Sequence, residues 1–108
     1  MTTPLDTYRK EFPSADQQIE PLVLAFLAGL GFTDQSWHND MCPSFLLSEN
    51  KIAVYIDCAD REKREFPEAE RFSIHPIDDD GQIQDDPMPE TFEDFEQLAA
   101  RLRKIVGE

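Results

Sequence analysis

Residues that usually announce a chemistry are scarce in this chain. There are two cysteines, Cys42 and Cys58, and two histidines, His38 and His75, among 108 residues. So few cysteines exclude a disulfide-dense secreted scaffold, and they are expected to be reduced and buried. No long apolar run is present either. The longest, Leu22 to Leu30, falls far short of the ~20 residues a membrane-spanning helix needs. The opening stretch MTTPLDTYRKEF lacks the apolar core of a signal peptide, so the expected compartment is the cytoplasm. Internal repeats are absent too.

Positive charge is also in short supply. Against 23 acids stand 10 bases, for a net charge of −13. The imbalance is local: residues 57 to 96 hold 15 acids and 4 bases. A field of this sign repels phosphate, which argues against direct binding of nucleic acid or an anionic membrane. It suits a basic protein partner, or simply a solvated face.

What the chain does have is a core. Its hydrophobic fraction is 40%, with eight phenylalanines, enough for one domain over residues 1–108 that stands without metal or disulfide. Residues 1–13 read as a short arm, with Leu5, Tyr8 and Phe12 at helical spacing. A helix is expected over 14–31, its apolar face formed by Ile19, Leu22, Val23, Phe26, Leu27 and Leu30. Pro21 either stands in the first turn or kinks this helix, and Gly31 stops it. Phe32 and Trp37 follow, as a lid on the core or as a partner anchor.

Antiparallel strands are expected over 44–84. Within them, Ile52, Val54, Ile56 and Cys58 alternate with Ala53, Tyr55 and Asp57, and apolar residues on both sides suggest a central strand. Asp60 to Glu70 is a charged connection. Asp80-Gly81 makes a turn toward a short strand at Gln82 to Gln84. A last helix over 91–106 is expected, capped by Thr91, with a stripe of Phe92, Phe95, Leu98, Ala99, Leu102, Ile105 and Val106. Acids at its start and bases at its end suit the helix dipole. The expected fold is therefore α+β: a small antiparallel sheet of three to four strands in the order helix-strand-strand-strand-helix, with both amphipathic helices on one face.

No chemical motif is complete. Asp78, Asp80, Gly81 and Ile83 sit in the register of a calcium loop, but Pro76 and Pro87 occupy its first and last ligand positions. His38, Cys42, Cys58 and His75 are of zinc-binding types without the spacing of a zinc knuckle. A nucleophilic thiol is disfavoured at Cys58 by its acidic surroundings. The expectation is no metal and no cofactor.

The stretch from Cys42 to Ala59 resembles the strand–turn–strand core of the PD-(D/E)xK nuclease superfamily. Ser44 stands where that family has its first Asp and Ala59 where it has its Lys, so Asp57 alone matches. The resemblance implies a degenerate nuclease-like domain without activity, since one carboxylate cannot hold the metal and activate water. The order of Ile19–Leu30 and the strands around Leu47, Val54 and Ile74 is also similar to type III secretion chaperones, which are small and acidic, but this chain is shorter.

The functional expectation is a non-enzymatic protein-binding module of inhibitor, immunity or chaperone type, as a monomer or weak homodimer. Its expected surface comprises Asp57, Asp60, Glu62, Glu65, Asp78, Asp79, Asp80, Asp85 and Asp86, joined by Glu68 and Glu70. The alternative is the degenerate nuclease-like domain, or a small hydrolase around Asp57, Cys58 and His75.

Overall fold

A computed structural model describes residues 7–12, 18–36, 42–64, 66–84 and 89–107. Among these residues, three α-helices, α1 (Thr7–Glu11), α2 (Pro21–Leu30) and α3 (Phe95–Val106), accompany five strands: β1 (Thr33–Asp34), β2 (Ser44–Leu47), β3 (Ile52–Ile56), β4 (Phe72–Pro76) and β5 (Glu90–Phe92). The strands form one antiparallel sheet in chain order, with β3 at its centre. The sheet thus has five strands rather than three or four. The strand expected over 82–84 is only an isolated bridge of Ile83 to Ile77, and the unexpected β1 and β5 are edge pieces of two or three residues, too short to show alternation.

Register divides the side chains between two faces, because directly paired residues point the same way. Phe45 pairs with Val54, Val54 with Ile74, and Ile56 with Phe72, which in turn pairs with Phe92. These residues form the core with Val23, Leu24 and Leu27 of α2 and Leu98 and Leu102 of α3. Both long helices therefore cover this one face. Phe26 of α2 meets Phe95 of α3 edge-on, with ring centroids 5.4 Å apart.

Of the helix expected over 14–31, residues 14–17 lie outside the described residues, Gln18 to Glu20 are not helical, and α2 begins at Pro21. Proline holds the preceding residue extended, and its missing N–H is no loss at the first helical position. Gly31 closes the helix at φ 98°, a left-handed turn that glycine makes without strain. The buried face is also rotated from the expected one: Leu24 is buried and Leu22 is 71% exposed. Every residue of α2 is apolar or small, so spacing alone did not single out the face.

At the other end, Thr91 belongs to β5. The residue flanking the last helix is Asp94, so α3 starts at Phe95 rather than 91. In its stripe Leu98, Ala99 and Leu102 are buried, while Phe95, Ile105 and Val106 pack partly against the core. The N-terminal arm docks through Tyr8 and Phe12, both buried. The carboxylate of Asp34 accepts the Tyr8 N–H at 2.7 Å, tying α1 to the sheet edge. No described helix is long and apolar enough to cross a membrane.

Candidate binding trough

Among the described residues, no helix covers the second sheet face. It presents Leu46, Ala53 and His75 in one cross-strand row, and Ser44, Tyr55, Ser73 and Thr91 in the next. The turn around Gly81 folds over the Leu46 end of this face, so that a Cβ on Gly81 would lie 3.7 Å from the Leu46 side chain. The rest opens into a cleft of about 630 Å³. That volume lies within the ~300–1,000 Å³ of ligand-binding clefts.

Its floor is Tyr55, Ser73 and His75. Ser73 Oγ lies 2.8 Å from His75 Nε2, and the Tyr55 and His75 rings meet edge-on at 5.0 Å. Burial holds the His75 imidazole below its ordinary value of 6.5, so it is neutral at physiological pH. Phe66 and Ile83 also line the cleft, and are 51% and 39% exposed. Phe66 belongs to the β3–β4 connection and Ile83 to the β4–β5 connection. These leave β4 at opposite ends, so the two side chains flank the trough. Asp57, Glu68 and Glu70 add carboxylates to the lining.

One wall is set by two buried arginines. The Arg64 side chain is fully buried and makes a bidentate pair with Glu93, 2.9 Å on each arm. It also donates to the carbonyls of Cys58, Ala59 and Ala69. A planar five-donor fork can satisfy this many acceptors at once, as lysine cannot. Glu93 is held below the usual carboxylate range chiefly by that hydrogen-bonded guanidinium. Arg71 grips Glu20 in the same bidentate way, at 2.8 and 2.6 Å, and lowers its pKa. Arg61 joins Glu93 as well. Three of the four bases between residues 57 and 96 are thus engaged internally, leaving the surrounding acids to dominate the surface.

The expected acidic surface is divided by the structure. Asp57 lies beyond Ile56, and its carboxylate accepts the Cys58 N–H at 2.7 Å. Asp60 caps the turn at Arg61–Lys63 by accepting from the Glu62 N–H. The Asp78–Asp80 turn lies beyond Pro76, at the other end of the β3–β4 ladder, about 13 Å of strand away. There Asp78 accepts from the Asp80 and Gln82 amides, and Asp79 pairs with Lys51 at 2.6 Å. Glu65, Asp85, Asp86, Pro87, Trp37 and His38 lie outside the described residues.

Asp57 and His75 both line the cleft, but Cys58 does not join them as part of a reacting set. His75 pairs with Ala53, while Cys58 follows the far end of β3 and turns its buried Sγ to the Lys63 carbonyl at 3.6 Å. Among the described residues, no group of three or more His, Cys, Asp and Glu side chains is placed to hold a metal ion. Tyr55, Ser73, Phe66 and Ile83 are among the trough residues that sequence reasoning missed. The signal for the first two was present: both alternate with buried residues along central strands, and the β3–β4 register places them on one face. Comparison of the chain with known protein families, curated proteins and solved structures finds no match.

Proposed function

We propose that this protein is a non-enzymatic binding module that recognises a basic protein partner. The observation that supports it best is a trough with an apolar lining and a rim of acids, on the sheet face that both helices leave open. Long-range attraction from the acids of residues 57–96 brings the partner in, and the trough supplies contact area. The test is selection from a library of random peptides displayed on phage. Enrichment of sequences pairing Arg or Lys with an apolar residue is the expected result. Enrichment of acidic sequences, or none at all, contradicts the reading.

One contact favours a second reading. A neutral His75 with its proton on Nδ1 accepts from the Ser73 hydroxyl at 2.8 Å, as a general base does from a nucleophile. A hydrolase built on this pair would label at Ser73 with a fluorophosphonate, and Ser73→Ala would abolish the label. Failure of the wild-type protein to label removes this reading.

A further inference from the structure

Building on the binding-module reading, we infer that the trough, and not the acidic turn at Asp78–Asp80, is the contact site, and that its occupant is an extended segment of the partner bearing a basic side chain beside an apolar one. Two independent features of the structure meet there. The first is apolar exposure. Three large hydrophobic residues among those described stand exposed, Leu22, Phe66 and Ile83, and two of them flank this one cleft. The second is charge. Asp57, Glu68 and Glu70 line the cleft, and the one cationic residue among its described lining, Arg71, has its guanidinium committed to Glu20. A lysine or arginine satisfies both features at once, since its aliphatic stem packs on apolar surface while its head reaches a carboxylate. Tyr55 adds an aromatic ring to the floor, a further site for a cation.

The Asp78–Asp80 turn has a different construction. Asp78 spends its carboxylate on the turn's own amides, and Asp79 is paired with Lys51. Among the described residues, no exposed large apolar side chain accompanies these acids except Ile83, which lines the trough, and the neighbouring Ile77 is buried. Exposed charge of this kind sets the rate of approach, whereas buried contact sets the rate of departure. The two regions therefore affect different rate constants.

The test uses the full chain and a synthetic peptide of the sequence enriched from the phage library, with association and dissociation followed by stopped flow. Phe66→Ser together with Ile83→Ser should speed dissociation by about tenfold and leave association nearly unchanged. Glu68→Lys, at an exposed position in the trough lining, should abolish binding. Reversal of Asp78, Asp79 and Asp80 to Lys should slow association about threefold at low salt and leave dissociation unchanged. Thermal melting of each variant checks that it is folded. If wild type binds the peptide and a folded Phe66→Ser/Ile83→Ser variant releases it no faster, the trough is not the contact site, while the binding-module reading stands. If the triple reversal speeds dissociation instead, the contact lies on the acidic turn. If no peptide is enriched, the binding-module reading itself fails, and the trough inference with it.

Discussion

The two faces of the sheet share the same strands but follow different rules. On the helix side, Phe45, Val54, Ile56, Phe72 and Ile74 are all at most 3% exposed and interlock with α2 and α3. On the other side, the same strands present Tyr55, Ser73, His75 and Thr91, half-buried or exposed, at the floor and edge of an open cleft. The first arrangement maximises apolar contact and leaves no room for a ligand. The second keeps polar groups and a concave surface within reach of solvent. Stability and, on the proposed reading, recognition are thereby separated by a single alternation of side chains along each strand. Substitutions should respond accordingly.

The largest loss of stability is expected on the helix face. Phe45 is fully buried and meets Tyr8 edge-on at 6.3 Å. Phe45→Ala should cost about 4 kcal/mol in chemical denaturation, from lost burial and a cavity that the surrounding strands cannot close. Next comes the wall of the trough. Arg64→Ala should cost about 3 kcal/mol, because three backbone carbonyls lose a buried donor and Glu93 loses its main partner. Glu93→Gln should cost less, about 1 kcal/mol, because the Glu93 side chain is a third exposed and solvent screens the pair. A larger loss from Glu93→Gln than from Arg64→Ala would show that the carboxylate, not the arginine fork, organises the wall.

Acid should destabilise the protein in two stages. His75 in the folded protein is held below 6.5 by burial, so the unfolded chain binds its proton first as pH falls. Stability from that source begins to drop below pH 6.5. Glu20 and Glu93 are held below their usual 4.5 by Arg71 and Arg64, so their contribution is present above pH 4.5 and lost as pH falls through their folded values. Denaturation curves measured across this range should show His75→Gln losing the upper stage and keeping the lower. The smallest effect belongs to the trough's lips: Phe66→Ser should change stability by no more than about 0.5 kcal/mol, as expected for an exposed side chain outside the core.

Much of the helix face was legible in the sequence. The central position of β3 follows from apolar residues on both sides of Ile52–Ile56, and the α3 stripe follows from its period. The edges of the sheet were not legible. Thr33–Asp34 and Glu90–Phe92 pair through backbone, and so short a strand carries no periodic pattern. Thr91 has the chemistry of a helix cap and was assigned that role, whereas register places it opposite Ser73. Arg64 was hidden for another reason. Within Asp60 to Glu70 it looks like any surface charge, and only the convergence of three carbonyls and Glu93 makes its burial tolerable. The trough was half visible. Alternation separates Tyr55 from its buried neighbours, but that it shares a face with Ser73 and His75 follows from the β3–β4 register, and the approach of Phe66 and Ile83 depends on loop paths that no local rule specifies.

The central claim is that the helix-free face is the contact face. Chemical-shift mapping by NMR, with the isotope-labelled chain titrated by the library-selected peptide, tests it most directly. The account predicts that the shifts centre on Tyr55, Ser73, His75 and Thr91 and on the flanking Phe66 and Ile83, with the Asp78–Asp80 amides little moved. Shifts confined to the Asp78–Asp80 turn, or to the exposed side of α2 around Leu22, would contradict it.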